Sequence, residues 1–204
     1  MLRRFRKKLP HISRDQGFEL LLEFIAIVIG VMIALAVDEW REEREIAESN
    51  DIAIARLNEE VRQNHEELLE SLQIVSRRFE ALAGLRVTAD SPFREHFRDF
   101  GGFDFPDLND SVWQRLLNDR WANRISASYV DEAALLYHRI GQLRELEKEM
   151  NHHTFGESFH DAASVEMAHS ISRELMLKQI VLMREAVAMH EVFMERNIPA
   201  EPDR

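Results

Sequence analysis

The chain of 204 residues contains no cysteine. This absence excludes a disulfide framework and every metal site that needs a thiolate ligand. Glycine and proline are also scarce, at seven and five residues, so few positions interrupt a helix. No segment shows the alternation of apolar and polar residues that is typical of a half-buried β-strand. The sequence therefore predicts an all-α protein.

The short motifs of common enzyme classes are absent as well. There is no G-x-S-x-G, no G-x-G-x-x-G and no phosphate-binding loop. The zinc-protease pattern H-E-x-x-H is missed twice, because the second histidine is replaced by Leu69 after His65 and by Met194 after His190. We predict no catalytic residue and interpret the protein as a non-enzyme.

Histidines and carboxylates are concentrated in one part of the chain, and such side chains are potential zinc or iron ligands. They are His152, His153, Glu157, His160, Asp161, Glu166 and His169. Their spacing matches no closed metal site, and a polar loop between two helices accounts for the same composition. We therefore predict no metal and no other cofactor.

The chain does contain one long apolar run. The 18 residues from Leu20 to Val37 include Glu23 as their only charged side chain. A helix of that length extends about 27 Å, close to the thickness of a bilayer core of about 30 Å. Trp40 follows at the position of an interfacial aromatic. The sequence predicts a transmembrane helix over residues 18–40, with the lipid bilayer as its partner.

A cleavable signal peptide is the alternative for this segment. Ala34-Leu35-Ala36 matches a small-x-small cleavage pattern, and the segment before the apolar run is basic. That basic segment is long for a signal peptide, however, and charged helix-forming residues follow Val37 directly. With Leu20 to Leu22 included, the apolar length suits a span better, and we favour an uncleaved anchor.

Charge is distributed unevenly about the predicted span. Residues 1–17 carry six basic side chains and one acidic one, a balance of +5, whereas residues 38–204 carry 20 basic and 34 acidic ones, a balance of −14. Because basic residues beside a span tend to stay in the cytoplasm, residues 1–17 are the predicted cytoplasmic N-terminus. The predicted location is the bacterial inner membrane, with the C-terminal domain in the periplasm.

The basic N-terminus has two further interpretations, a nucleic-acid-binding arm and a patch that faces lipid headgroups. Its position directly beside the span favours a membrane role, and a topology signal alone explains it best. We therefore predict no nucleic-acid partner.

Residues 41–198 are predicted to form an extramembrane helical bundle, followed by a C-terminal tail at 199–204. Apolar residues recur at spacings of three and four from Ile54 to Leu82, which predicts one long helix that ends near Gly84. Further helical segments are predicted over 110–125, 129–150 and 162–197. The last has a broad apolar arc, which is typical of a helix in the middle of a bundle.

The segment 85–110 is predicted to be a loop, because Ser91-Pro92 and Gly101-Gly102 interrupt helical periodicity. It holds five phenylalanines, at positions 93, 97, 100, 103 and 105. We expect the loop to fold back on the helices and bury these rings. A partner-docking surface is the alternative, because exposed apolar patches commonly mark contacts.

A candidate interface lies within the span itself. Ala26, Gly30 and Ala34 recur at every fourth residue, and Glu23 extends the same stripe one turn earlier. Small residues allow close approach of a second helix in lipid, and polar side chains add contacts across helices. The alternative for Glu23 is that its carboxylate merely extends towards the headgroups.

The run from Glu23 to Ala36, continued by Val37-Asp38-Glu39-Trp40-Arg41-Glu42-Glu43, resembles the start of a bacterial family of single-span proteins catalogued only as a domain of unknown function. The shared features are a glutamate that opens the span, an IGxxIAL core and a tryptophan followed by charged residues. The segment Ser111–Leu117 and the later Leu136-Tyr137 helix are also similar to that family's second half. The resemblance implies a membrane-anchored helical domain and no known catalytic residues.

The predicted function is an interaction or assembly module that acts through its span and long helix. Its partner would be a second copy of the chain or another membrane protein. The alternative is an extramembrane ligand-sensing helical domain. A pocket lined by polar side chains would favour ligand sensing, whereas a bare apolar groove would favour interaction.

Overall fold

The computed structural model of the chain describes residues 14–88, 93–118, 125–161 and 164–199. Within these ranges all regular structure is helical and no strand occurs, which confirms the predicted all-α class. The helices are α1 Arg14–Gly84, α2 Phe93–Asp99, α3 Ser111–Asn118, α4 Ala127–Phe155, α5 Glu157–His160 and α6 Val165–Asn197. The chain divides into two compact units, Met1–Ser49 and Asn50–Arg204.

The described part of the first unit belongs entirely to α1. Of the helices in the described ranges, this is the one long and apolar enough to cross a membrane, and the side chains of its most apolar window are not buried. The guanidinium of Arg44 lies over the Trp40 ring, 5.7 Å from its centroid. A candidate span near the N-terminus is thereby confirmed. A signal sequence has the same length and composition, so the choice of an anchor still depends on the sequence features.

In the second unit, the C-terminal part of α1 buries the apolar stripe predicted from its spacing. The side chains with no exposed surface are those of Leu57, Val61, Leu68, Val75 and Leu82. Ile54, Leu72 and Phe79 pack beside them and are partly buried. The helix ends at Gly84, where the sequence predicted its end.

Two clusters of buried side chains hold the second unit together. The first combines the middle of α1 with α3, α4 and the C-terminal half of α6. The second combines the end of α1 with α2, α5, the end of α4 and the start of α6. The apolar arc of α6 is as broad as predicted, with Met176, Met183 and Ala186 fully buried. The arrangement of these helices as a bundle stays a prediction.

The predicted loop over 85–110 is partly wrong, because α2 forms within it. Phe93 and Phe97 are four residues apart and therefore share one helix face. They are 1% and 4% exposed, so burial of this face stabilises the helix. The flanking glycines and proline in the sequence had indicated a loop instead. Phe100, Phe103 and Phe105 pack partly buried against the same cluster. The expectation that the rings fold back on the helices is confirmed.

Other boundaries differ from those predicted. α4 begins at Ala127, and the Ser126 hydroxyl caps it by accepting the Tyr129 N–H at 3.2 Å. It continues to Phe155 because His153 is buried, and α5 lies in the remainder of the predicted polar break. α6 begins at Val165 rather than at residue 162. α3 covers the first part of the predicted helical segment over 110–125, and residues 119–124 lie outside the described ranges.

Candidate functional site

The four predicted residues of the span interface lie on one face of α1. Glu23, Ala26, Gly30 and Ala34 are separated by steps of three, four and four residues, which aligns them along a helix. All four are exposed, and a Cβ added at Gly30 would meet nothing within 4 Å. The helix thus assembles the predicted face and leaves it uncovered within the described part of the chain. Its use as an interface stays a prediction.

The most extensively bonded polar side chain of the second unit is Glu60 on α1, which is 3% exposed. Its carboxylate accepts the backbone N–H groups of Val112 at 2.8 Å and Trp113 at 3.3 Å. It also accepts the hydroxyl of Tyr137 at 2.6 Å. The first N–H groups of a helix have no partner within that helix. Glu60 therefore caps α3 from a distant part of the chain, with its negative charge at the positive end of the helix dipole.

Two tyrosines are held in the same region. The ring of Tyr137 stacks on that of Trp113, with 5.1 Å between centroids and 2° between the planes. Burial raises the pKa of Tyr137, and the hydrogen bond to Glu60 raises it further. The Tyr129 hydroxyl donates to Asn58 at 2.7 Å, and burial raises the pKa of Tyr129 too. Both tyrosine hydroxyl groups therefore keep their hydrogen and act as hydrogen-bond donors.

Asp110 directly precedes α3, and its carboxylate faces α4. Both oxygens accept from Arg144, at 2.7 and 3.1 Å, and Arg144 also donates to the Leu108 carbonyl at 2.8 Å. The hydrogen bond from Arg144 lowers the pKa of Asp110, and the same bond raises the pKa of Arg144. Asp110 is thus a tether to α4, and the side-chain cap of α3 is supplied by Glu60.

Asn64 fixes the segment before α3 to α1. Its amide nitrogen donates to the Asn109 carbonyl at 2.7 Å, and the Asn109 N–H donates to its amide oxygen at 2.8 Å. Asn64 is 1% exposed in the otherwise apolar stripe of α1. Both hydrogen-bonding functions of its amide are satisfied by backbone, which explains a polar residue at this core position.

Asp104 connects an earlier part of the segment before α3 to α1. It accepts from the Ser71 hydroxyl at 3.0 Å and lies 3.3 Å from the guanidinium of Arg78. Arg78 donates to the Gly101 carbonyl at 3.0 Å, and the side-chain amide of Gln179 donates to the Asp104 carbonyl. The segment 101–113 is therefore tied to α1, α4 and α6. The charged side chains of Asp104 and Arg78 hold the backbone of this segment in place, and their arrangement does not resemble that of catalytic residues.

Three cavities border the described segment 101–113, and two of them bear on function. The first has a volume of about 400 Å³ and is lined by Asp107, Arg144, Glu147 and Gln179 together with apolar side chains. The second cavity, of about 560 Å³, lies between α2, the turn at Gly101 and Gly102, and the C-terminal end of α4. Its walls are mainly phenylalanine rings.

Two of the histidines considered as metal ligands, His153 and His169, have other partners. His153 lies 3.0 Å from the Ser172 hydroxyl, and His169 lies 2.9 Å from the Leu82 carbonyl. The side chain of His160 lies outside the described residues. Across the described ranges, histidine and carboxylate side chains do not come together in groups of three or more.

A different histidine is the most deeply buried. His190 has no exposed surface, and its Nδ1 lies 2.8 Å from the Ala186 carbonyl, so Nδ1 carries the hydrogen. Its Nε2 has no hydrogen-bond partner among the described residues, and its ring stacks on His65 at 6.3 Å. Burial lowers the pKa of His190 to about 4.

Comparisons of the chain with protein-family models, with curated proteins and with solved structures find no match. The family resemblance of residues 23–43 therefore stays a prediction.

Proposed function

We propose that the chain is a membrane-anchored interaction protein with a single span. In this proposal residues 1–17 lie in the cytoplasm, residues 18–40 cross the inner membrane of a bacterium, and residues 41–198 form a helical bundle in the periplasm. The basic N-terminal segment and the acidic remainder support this orientation.

The observation that carries the proposal is a contrast between two apolar surfaces of α1. From Leu57 to Leu82 the side chains of the apolar stripe are buried or partly buried by other helices of their unit. From Phe18 to Trp40 the large apolar side chains are exposed, with Phe24 at 63% and Met32 at 65%. Burial of apolar surface contributes about 25 cal/mol per Å². The second surface therefore requires a lipid or protein environment that the described part of the chain does not supply.

Association through the span is supported by the exposed face of Glu23, Ala26, Gly30 and Ala34. Without a hydrophobic driving force in lipid, helices associate through close packing and interhelical hydrogen bonds. Each such hydrogen bond contributes about 0.6 to 2 kcal/mol. A second span that packs at Gly30 would bring the two backbones close together, because glycine has no side chain to separate them.

The test is disulfide crosslinking of the full chain in membranes, with single cysteines introduced at Ala26 or Ala34. The background is clean because the chain contains no cysteine. Gly30→Leu should reduce crosslinking strongly, because the added side chain separates the backbones. Val31→Leu, at an exposed position on a different face, is the matched control and should have no effect. Equal yields from the two variants would contradict association through this face.

An extramembrane ligand-sensing domain is the second candidate. It is favoured by the cavity of about 400 Å³, whose lining includes the polar side chains of Arg144, Glu147 and Gln179. A ligand for this cavity should raise the unfolding temperature of the full chain, and Glu147→Ala should reduce that increase. No increase across a library of small polar molecules would count against this candidate.

A further inference from the structure

The aromatic cavity of about 560 Å³ has the features of a ligand groove. Its volume lies within the range of about 300 to 1,000 Å³ that is typical of small-molecule sites. The rings of Phe97, Phe103 and Phe159 form part of its walls. Phe155, at the C-terminal end of α4, also lines the groove, and 80% of its surface is exposed. An exposed ring beside an aromatic groove is apolar surface available to a ligand.

The walls of the groove are fixed before any ligand arrives. The ring of Phe97 packs against Phe103 with 5.0 Å between centroids and against Phe159 with 5.4 Å. Gly102 has a φ of +62°, and a Cβ there would lie 3.3 Å from the Phe97 ring. Arg78 holds the turn through the Gly101 and Gly102 carbonyls. Because the walls are already packed, binding would require little ordering of the protein.

The charge at the groove is opposite in sign to that of the surrounding domain. Arg94 and Arg98 both line it from α2, four residues apart and hence on one helix face. Glu95 is the acidic side chain in the lining, so the groove carries a balance of +1. Residues 38–204 as a whole have a balance of −14. Apolar walls with two guanidinium groups fit a ligand with an apolar body and an anionic head.

We propose that this groove binds a single-chain anionic amphiphile of the fatty-acid class. The alkyl chain lies against the phenylalanine rings, with Phe155 closing over it, and the carboxylate binds Arg94 and Arg98. The proposal is independent of association through the span, because every residue that lines the groove belongs to the second unit.

The test uses the full chain in nanodiscs of phosphatidylcholine and a palmitic acid analogue that carries a photoreactive diazirine. After irradiation, the labelled peptides are identified by mass spectrometry. Peptides that contain residues 93–105 and 151–159 should be labelled, and excess palmitate should suppress that labelling. The span peptide will also be labelled from the bilayer, and its signal measures how much probe each sample contains. The matching diazirine alcohol, which has no charge, should label the groove more weakly.

Two sets of variants locate the site. Phe155→Ser should reduce groove labelling about fivefold, the effect of losing one partly buried aromatic contact. Leu135→Ser is the control, because Leu135 is another exposed apolar residue of α4, 58% exposed against 80% for Phe155, and lies outside the groove. Arg94→Gln combined with Arg98→Gln should abolish the preference for acid over alcohol. Since these side chains are not in the buried core, circular dichroism should show unchanged helicity.

Three results would overturn the proposal. The first is groove labelling no stronger than that of the peptide around Leu135. The second is equal labelling by acid and alcohol, which would show a groove for neutral amphiphiles. The third is labelling that Phe155→Ser leaves unchanged.

Discussion

At the residue scale, buried and half-buried polar side chains connect distant parts of the second unit. Glu60 binds α3 and Tyr137, Asn64 binds Asn109, and Arg144 binds Asp110. Each connection joins groups that have few other partners at that depth. A buried polar group that loses its partner destabilises a protein more than the intact bond stabilises it. These residues should therefore be sensitive to substitution even though they do no chemistry.

Replacing Glu60 by alanine should lower the free energy of unfolding by about 3 kcal/mol. The substitution leaves the N–H of Trp113 and the hydroxyl of Tyr137 buried without an acceptor. The measurement is chemical denaturation of the full chain in detergent micelles, followed by circular dichroism.

Glu59→Ala is the matched control, because the neighbouring carboxylate has 56% of its side chain exposed and takes part only in local contacts with Arg62 and Gln63. Its effect should stay within about 0.5 kcal/mol. Similar losses from both variants would show that Glu60 does not hold α3.

His190 should make the stability of the chain depend on pH. Its pKa is about 4 in the folded chain and 6.5 without the fold. Between these values the unfolded chain binds a proton that the folded chain does not, so the stabilisation is complete above pH 6.5 and is lost as the pH falls towards 4. The loss reaches about 3 kcal/mol, since one pKa unit corresponds to about 1.4 kcal/mol.

Denaturation of the full chain and of His190→Gln at pH 7.5, 6.0 and 5.0 measures this effect. The variant should lose less stability across the series than the original chain, whatever its stability at pH 7.5. Parallel pH dependence in the two proteins would assign the acid sensitivity to other groups.

These residues are difficult to identify from the sequence. Asn64 is a polar residue within an otherwise apolar stripe, but its partner is evident only in the structure. The role of Glu60 could not be recognised from the sequence, because Val112, Trp113 and Tyr137 lie 52 to 77 residues away from it in the chain. Among 37 acidic residues, nothing local distinguishes a buried carboxylate from an exposed one.

At the scale of elements, periodicity predicted the long helices well. The spacing of the apolar residues from Leu57 to Leu82 reflects the geometry of a single helix, and it indicates correctly which face of that helix is buried. α2 was missed because seven residues are too few for a clear period. The helix depends on tertiary burial of Phe93 and Phe97, which only the folded chain provides.

Two adjacent leucines of α1 test this account of helix packing. Leu68→Ala should lower the free energy of unfolding by about 2 to 5 kcal/mol, because its side chain is fully buried and truncation leaves a cavity. Leu69→Ala has the same chemistry at a position that is 38% exposed, and should cost less than about 1 kcal/mol. Denaturation of both variants in micelles gives the comparison. Equal effects would mean that α1 presents a different face to its neighbours.

At the scale of the whole molecule, the chain has two kinds of apolar surface. One is covered by the helices of the second unit, and the other belongs to the exposed residues from Phe18 to Trp40. Length, charge and composition predicted this division, because a membrane span requires a long run of apolar residues and is commonly flanked by basic residues on one side. They did not predict the aromatic groove. Its walls come from α2, a turn, α4 and α5, and their meeting depends on tertiary structure.

Thiol labelling in intact bacterial cells is the most direct test of a single span with this orientation. Single cysteines replace Ser13, before the span, and Ser128, an exposed residue of α4. A membrane-impermeant maleimide should label the cysteine at 128 in intact cells and the cysteine at 13 only after the membrane is permeabilised, and both variants should remain in the membrane fraction. Labelling of position 13 alone in intact cells would reverse the orientation. Recovery of the chain in the soluble fraction, or loss of its first 36 residues, would contradict the anchor itself.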